Sequence, residues 1–163
     1  MTPDPRAGRV DRIVTRRLVL RRLGPRAARA LAQGDRGGLV AARGWPTDAT
    51  VIVAHRAADD AEALTWLIHH DGAVIGECGL KHGPDADGVV EIGYGLGASW
   101  RSQGYGTEAI RGLLDRLAEL PAYRRVTAEV HEGNLSSRRL LERLGFSIDA
   151  LTPPYVWYSR FLR

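Results

Sequence analysis

The stretch "SWRSQGYGTEAIRGLLDRLAEL", residues 99–120, places an arginine and two glycines directly before apolar residues at helical spacing. Apolar residues recur every three or four positions from Ala109 to Ala118, which predicts an amphipathic helix. The first turn of a helix presents unpaired N–H groups and the positive end of the helix dipole. Because Gly104 and Gly106 carry no side chain, a ligand can approach that backbone closely. The pattern predicts a turn that binds an anion, and a phosphate is the obvious ligand.

The length and composition of the chain limit the structural classes of protein to which it can belong. We interpret residues 1–163 as a single domain whose first part, residues 1–12, is loose. The chain is 44% hydrophobic and 26% charged, which is ordinary for a globular protein. No apolar run approaches the roughly 20 residues that a membrane span needs, and the first residues lack the apolar core of a signal peptide. We therefore expect a cytoplasmic protein without a membrane partner.

Charge and cysteine content exclude further classes. The net charge is +4, but Lys81 is the only lysine, and the arginines are spread along the chain among acidic residues. A nucleic-acid surface needs a basic cluster with stacking aromatic residues, so we expect no nucleic-acid partner. The single cysteine, Cys78, excludes an internal disulfide and cannot hold a metal alone. We predict no metal site.

The order of periodic segments predicts one α/β domain with a mixed, largely antiparallel sheet. "DG" between two apolar runs is a strong hairpin signal. We predict strands over residues 15–23, 63–70, 73–80, 89–96, 123–130, 146–151 and 155–162. We predict helices over residues 24–35, from Thr107 onward and over 134–146, and short helical pieces within 36–60 that Thr47 or Asp48 caps.

Two known phosphate-binding turns do not fit the glycine pattern. A P-loop needs a lysine directly after its last glycine, and Lys81 lies far from any such glycine. The dinucleotide fingerprint needs a third glycine, which Gly104-x-Gly106 lacks. On this pattern alone, a glycine-rich turn that only caps the helix and binds no ligand is an equal alternative. Glycines 93, 95 and 97 in the preceding strand favour close approach by a ligand, because glycine is otherwise unfavourable in a strand.

The turn resembles the pyrophosphate-binding turn of the GNAT superfamily of acetyl-CoA-dependent N-acetyltransferases, on Arg101-Ser-Gln-Gly104-Tyr-Gly106 followed by Thr107-Glu108-Ala109. A second motif downstream resembles the fourth-helix pattern of that superfamily: Asn134-x-x-Ser137 with Leu144-Gly145-Phe146. "TRRLVLRRL", "IGECGL" and "EIGYGLG" resemble its branch of ribosomal-protein N-terminal (alanine/serine) acetyltransferases. The resemblance covers roughly residues 15–162. It implies a GNAT-like fold of six to seven strands and about four helices, with the central parallel strands splayed to hold the cofactor.

The resemblance also implies how acetyl-CoA would bind. The pyrophosphate would lie on the backbone from Gln103 to Thr107, and the pantetheine arm would pair like an added strand near Tyr94 to Leu96. An N–H near Leu96 would hold the charge that develops on the thioester oxygen. The cofactor residues that we predict are Tyr94, Leu96, Arg101, Ser102, Gln103, Gly104, Tyr105, Gly106, Thr107, Asn134 and Ser137. For Asn134, a helix cap alone is an equal alternative.

Direct transfer needs a carboxylate to take a proton from the amine, because an amine with a pKa near 10 is mostly charged at pH 7. Glu91 is our first candidate, because alternation puts it on one face with Gly93 and Gly95. Glu77 in the neighbouring strand is the second, and a surface glutamate is the alternative for each. Leu141 stands where many superfamily members carry a tyrosine that acts as the acid. The branch that the chain resembles carries a serine at the Ser137 position, which implies a hydroxyl beside the leaving sulfur; a small residue packed in the first turn of the helix is an equal alternative.

The acceptor is a primary amine, either a protein N-terminus or a small molecule such as an aminoglycoside or polyamine. Trp45, Tyr155 and Tyr158 are candidate acceptor contacts, and core packing is the ordinary role of such aromatics. The alternative function is a catalytically silent module that binds CoA or acyl-CoA as a sensor or subunit, which the missing tyrosine at position 141 favours. We expect a monomer or a homodimer.

Overall fold

The computed structural model describes residues 10–60 and 63–163. The strands are β1 (Arg12–Val14), β2 (Val19–Arg22), β3 (Leu64–His70), β4 (Ala73–Leu80), β5 (Val89–Leu96), β6 (Arg125–His131), β7 (Ser147–Thr152) and β8 (Tyr155–Phe161). The helices are α1 (Pro25–Ala32), α2 (Asp48–Asp59), α3 (Tyr105–Ala118) and α4 (Leu135–Arg143), with one turn of 3-10 helix at Ala98–Trp100. The predicted α/β class is confirmed. The described sheet has eight strands, however, rather than six or seven.

The strands form one sheet in the order β1-β2-β3-β4-β5-β6-β8-β7. Every neighbouring pair is antiparallel except β5 and β6, which are parallel. The predicted hairpin joins β3 to β4 through Asp71 and Gly72, whose φ angles are 47° and 82°. Positive φ at both central residues is what a type I′ turn requires, which explains the Asp-Gly pair.

The parallel pair holds together over only a short length. Val89 to Glu91 of β5 pair with Arg125 to Thr127 of β6, and β5 then continues to Leu96 without β6 beside it. On its other side β5 stays paired with β4 as far as Leu96, without a register shift. Among the strands that the structure describes, none pairs with this edge of β5 beyond Glu91, as the splayed central strands of the expected fold require.

Helices cover the sheet on two faces. The apolar side of α3 packs with Leu141 of α4 and with Ile92 and Val126 of the sheet in the larger core cluster. Helices α1 and α2 pack with Leu67 and Val74 in the smaller cluster. Adjacent strand residues point to opposite faces, so the two clusters lie on the two sides of the sheet. In the described residues, no helix combines the length and apolar character that crossing a bilayer demands.

The N-terminal part of the chain differs from the prediction. Residues 1–9 lie outside the described residues, but Val10 is buried, its carbonyl accepts a hydrogen bond from Trp66 Nε1 at 2.8 Å, and Arg12 begins β1. The strand predicted over 15–23 is confined to Val19–Arg22, because Thr15 to Leu18 form a turn closed by a 2.9 Å backbone hydrogen bond. Strand β1 has three residues, of which one is buried, so it leaves no periodic signal in the sequence.

Candidate functional site

A groove of about 510 Å³ lies between the unpaired edge of β5 and the N-terminal ends of α3 and α4. Nine of the predicted cofactor residues line it: Tyr94, Leu96, Arg101, Ser102, Gly104, Gly106, Thr107, Asn134 and Ser137. Sequence reasoning missed Arg139 and Arg143, which stand one helical turn apart on α4 and also line the groove. Together with Arg101 they give the groove three guanidinium groups, a composition suited to a polyanionic ligand.

The N-terminus of α3 is left without a side-chain cap. Gly104 occupies the N-cap position in the left-handed conformation, with φ 81°, and no side chain among the described residues caps the helix. Ser102 also has a positive φ, 60°. Gly106 has a different reason for its missing side chain, because a Cβ there would lie 3.0 Å from Leu140 Cδ1 of α4. One glycine shapes the turn, and the other lets the two helices approach.

A residue that sequence reasoning missed braces this turn from outside. Arg17 donates from Nε to Glu108 Oε2 at 2.6 Å and from Nη1 to the carbonyl of Gln103 at 3.3 Å. Thr15 Oγ1 donates to the other oxygen of Glu108 at 2.6 Å. Burial alone would raise the pKa of Glu108, but the hydrogen bonds from Thr15 and Arg17 outweigh it and hold the pKa below its ordinary value. Glu108 is thus an anion that fixes the turn to the β1–β2 connection.

Two predicted cofactor residues direct their side chains away from the groove. Gln103 donates from its side-chain amide to the carbonyl of Ser99 at 2.9 Å. Tyr105 is buried, with the guanidinium of Arg17 4.3 Å from its ring centre and its hydroxyl 3.2 Å from His70 Nε2. Only the backbone of these two residues belongs to the turn.

The free edge of β5 directs backbone polar groups into the groove. Gly97 N–H donates to the carbonyl of Ile75 on β4. Because backbone polar groups of successive strand residues point to opposite sides, those of Leu96 and Tyr94 face away from β4. The carbonyl of Leu96 accordingly accepts a 3.1 Å hydrogen bond from Arg101 Nε. The N–H groups of Tyr94 and Leu96 are therefore directed into the groove, on the side of β5 where β6 no longer pairs with it.

The side of the groove formed by α4 carries hydroxyl groups. Asn134 is the N-cap of α4 and accepts the N–H of Ser137 at 3.1 Å. The hydroxyl of Ser137 lies 2.5 Å from the hydroxyl of Tyr94. Burial raises the pKa of Tyr94 to about 12, partly offset by its hydrogen bond with Ser137. Leu141, at the position of the superfamily's tyrosine, is fully buried.

Glu77 lies on the α2 face of the sheet, directly opposite Gly95. It is buried, and Oε2 accepts hydrogen bonds from Trp45 Nε1 at 2.6 Å and Thr50 Oγ1 at 3.1 Å. The other oxygen lies 3.1 Å from the point where a Cβ of Gly95 would stand. Burial raises the pKa of Glu77, although the two hydrogen bonds act against it. The absent side chain of Gly95 leaves this carboxyl group against the β5 backbone.

Glu91 shares this face, since the β4–β5 ladder has no register shift and the alternation runs unbroken to Gly93 and Gly95. Its carboxylate forms an ion pair with Lys81. It lies at the last residue pair joining β5 to β6. Cys78, between Glu77 and Gly79, is buried in the larger core, and burial raises the pKa of its thiol, so it is poorly suited to act as a nucleophile.

The three predicted acceptor contacts have different surroundings. Trp45 is buried and holds Glu77 through its indole N–H. Tyr155 is 42% exposed and packs edge-on against His131 at the end of β6. Tyr158 is fully buried, and its hydroxyl lies between Arg138 and Glu142. Tyr158 therefore has no surface with which to contact an acceptor, whereas Tyr155 does.

Comparison with known proteins identifies the fold and the family. The fold matches RimJ of Mycobacterium smegmatis in complex with CoA-disulfide, with a TM-score of 0.72 and 20% identity over 94% of this chain and 88% of that one. It also matches RimL, a ribosomal L7/L12 alpha-N-protein acetyltransferase in complex with coenzyme A, with a TM-score of 0.68 and 19% identity over 92% and 97% of the two chains.

In sequence, the chain is 33% identical over 93 residues to the uncharacterized N-acetyltransferase YjdG of Bacillus subtilis (strain 168), covering 56% of this chain and 55% of that protein. The chain thus spans about half the length of the curated relatives it matches. The family model described as "Acetyltransferase (GNAT) domain" matches residues 17–147, which is most of the chain. With these residues matched and the expected fold present, the chain belongs to the GNAT acetyltransferase family.

Proposed function

We propose that the protein is an acetyl-CoA-dependent N-acetyltransferase that moves an acetyl group directly to a primary amine. The observation that carries the proposal is that the uncapped start of α3 and the unpaired edge of β5 open into one groove. The first feature suits a diphosphate and the second an extended amide-bearing arm. The bound coenzyme of the RimJ and RimL structures combines both chemical groups, which supports the same ligand here.

The residues of the groove fit this ligand by their donor chemistry. The N–H groups from Gln103 to Thr107 would hold the diphosphate, with Arg101 alongside. Arg139 and Arg143 supply further positive charge on the opposite wall. The polar groups of Tyr94 and Leu96 would hydrogen-bond the pantetheine amides, as a neighbouring strand would. Acetyl-CoA would supply the activated acetyl group, and either N–H could stabilise charge developing on the acyl oxygen.

Glu77 and Glu91 compete for the role of proton acceptor. Glu77 stands directly opposite Gly95, so its Cα is only about 5 Å from the β5 backbone beside Leu96. Glu91 is five residues from Leu96, a span of about 17 Å at the usual rise of a strand. A cavity of about 30 Å³ beside Glu77 has room for one water molecule that could carry the proton. On this geometry we now place Glu77 before Glu91.

The acceptor is a primary amine whose proton the carboxylate must remove. An alkyl amine with a pKa near 10 needs this help at neutral pH more than a protein N-terminus with a pKa near 8. The raised pKa of Glu77 brings a carboxyl group closer to the basicity that such a transfer uses. Because a basic carboxylate can assist either kind of amine, we propose both a protein N-terminus and a small-molecule amine as acceptor classes.

The first experiment is an acetyl-transfer assay with the purified protein. Release of free CoA is followed with acetyl-CoA and a panel of peptides with free N-termini, polyamines and aminoglycosides. Turnover with any of them supports the enzyme. Tight CoA binding without turnover across the panel would instead support the silent binding module, which the buried Leu141 at the usual tyrosine position favours.

Glu77→Gln and Glu91→Gln, measured side by side, separate the two carboxylates. If Glu77 is the base, its amide variant should lower kcat by roughly 10²- to 10⁴-fold at unchanged CoA affinity, and Glu91→Gln should change kcat far less. Because a base acts when deprotonated and the pKa of Glu77 is raised, the acidic limb of the wild-type pH profile should lie above the ordinary carboxyl range.

Glu119→Gln is the matched control, since Glu119 is an exposed residue at the end of α3 away from the groove. Wild-type kcat in Glu77→Gln, with a large loss in Glu91→Gln, would return the role to Glu91.

A further inference from the structure

The groove contains a pair of hydroxyl groups that bridges its two walls. Tyr94 Oη on β5 and Ser137 Oγ on α4 lie 2.5 Å apart, and Tyr94 Oη also lies 3.4 Å from the carbonyl of Ser137. Both side chains line the groove. Tyr94 lies on the part of β5 that no longer pairs with β6, and its side chain lines the groove. Its phenol is therefore beside the path proposed for the pantetheine arm.

The surroundings of Tyr94 keep its hydroxyl protonated. Its side chain packs against the larger core and stands opposite the buried Cys78 across the β4–β5 ladder. Burial raises the pKa of Tyr94 to about 12, and the neighbouring Tyr158 acts in the same direction. At neutral pH the phenol therefore keeps its proton and can donate it in a hydrogen bond.

Tyr94 carries the strongest hydroxyl donor at the groove. Among the described residues that line it, Tyr94 has the one phenol, and none is a histidine, cysteine or carboxylic acid. Ser137 has a hydroxyl, but an aliphatic hydroxyl is a weaker hydrogen-bond donor than a phenol. Leu141 is fully buried and has no polar side-chain group. The phenol that the fourth helix lacks is thus available from β5.

We propose that Tyr94 donates a hydrogen bond to the departing sulfur and that Ser137 holds its hydroxyl in place. The inference rests on the proposed function. When the acyl carbon–sulfur bond breaks, its electron pair stays on sulfur, and Tyr94 O–H stabilises the resulting thiolate while keeping its own proton. The proton that the acceptor nitrogen loses on forming the amide bond passes to the carboxylate proposed as the base and from there to solvent. The thiolate of CoA takes up a proton from solvent, so no further reactant is required.

A binding experiment tests the contact without catalysis. Calorimetric affinities for CoA and for desulfo-CoA are measured at pH 9, where more of the CoA thiol is ionised and Tyr94 is still protonated. Tyr94→Phe should weaken CoA binding by about 10-fold, since a hydrogen bond to a charged group is lost, and leave desulfo-CoA binding unchanged. Equal weakening of both ligands, or no weakening of CoA, would overturn the assignment.

A leaving-group experiment tests the step itself. Tyr94→Phe should lower kcat with acetyl-CoA by about 10²-fold, the usual effect of removing one donor to developing negative charge. With the acetyl selenoester of CoA the loss should largely vanish, because a selenolate is a more stable leaving group and depends less on a hydrogen bond. Ser137→Ala should cause a smaller loss, and Tyr123→Phe, at a buried tyrosine that does not line the groove, should cause none.

The outcomes separate this proposal from the proposed function. Unchanged kcat in Tyr94→Phe, alongside an active wild-type protein, would overturn the role of Tyr94 alone. A large loss in Ser137→Ala without one in Tyr94→Phe would do the same and make Ser137 the hydrogen-bond donor to the sulfur. Absence of turnover in the wild-type protein with every amine would overturn the function and the role of Tyr94 together.

Discussion

The two helices that border the groove begin differently. Helix α4 is capped by its own sequence, because the side chain of Asn134 accepts the N–H of Ser137. The N-cap of helix α3 is Gly104, a left-handed residue without a side chain, and in the part of the chain that the structure describes no side chain caps this helix. A helix that satisfies its own N–H groups cannot offer the same donors to a ligand. The two walls of the groove therefore have different roles: α3 offers backbone donors to an anion, while α4 offers side chains.

The largest effect should follow from breaking the start of α3. Gly104→Val forces a β-branched residue into a left-handed conformation that it rarely adopts, so the turn must rearrange. We expect CoA affinity to fall by about 10²-fold, since one or two hydrogen bonds to a charged group are lost, while a pantetheine analogue without phosphates binds as before. Isothermal titration calorimetry measures both ligands.

Gly34→Val is the matched control for this variant, because Gly34 is also left-handed, with φ 80°, but follows α1 outside the groove. It should reproduce the backbone strain without the loss of CoA affinity. Equal weakening of CoA and the pantetheine analogue by Gly104→Val would indicate general disruption instead of a lost anion site.

A smaller effect should follow from removing the brace behind α3. Arg17→Ala leaves the Glu108 carboxylate without its guanidinium partner close to the turn, where it repels a diphosphate. We expect CoA affinity to fall by about 10-fold at low salt and less at high salt, as electrostatic effects of this size are screened. Titrations at two ionic strengths measure the change, with Arg16→Ala as the neighbouring control. A loss that does not depend on salt would speak against this electrostatic account.

The smallest change in binding should follow from uncapping α4. Asn134→Ala should lower the free energy of unfolding by about 1 kcal/mol, the usual contribution of such a cap. CoA affinity should change by less than about threefold, because a cap that serves only its own helix makes no ligand contact. Thr47→Ala, which uncaps α2 on the other face, should show a similar stability loss in chemical denaturation. A tenfold loss of CoA affinity in Asn134→Ala alone would assign Asn134 a contact with the ligand.

Local signals in the sequence carried over well into the structure. The helix predicted over residues 134–146 ends at Arg143, and Gly145 and Phe146 close it, with Phe146 N–H donating to the carbonyl of Leu141 and Gly145 N–H to that of Glu142. Thr47 caps α2, and Asp71-Gly72 closes the hairpin. Each feature depends on residues a few positions apart, so the local pattern contains the whole cause.

Features that depend on distant contacts were not accessible in the same way. Arg17 and Glu108 are 91 residues apart, so nothing in either local pattern indicates the brace. Likewise, the partners that bury Glu77 come from Trp45 and Thr50, in a segment whose periodicity is weak. Sequence reasoning therefore named both candidate carboxylates but placed Glu91 first, whereas the geometry leads us to propose Glu77. The burial of Tyr158 was also not visible in the local sequence, because it results from packing against α4.

Lys81 has a consequence for labelling chemistry. It is the only lysine of the chain, and it lies on the α2 face in an ion pair with Glu91. An amine-reactive fluorophore therefore has one ε-amino target, whose attachment would report on the neighbourhood of the competing carboxylates. The same scarcity means that the protein carries a single side chain able to compete with an external amine for its own acyl donor, so mass spectrometry of one peptide reveals any self-modification at lysine.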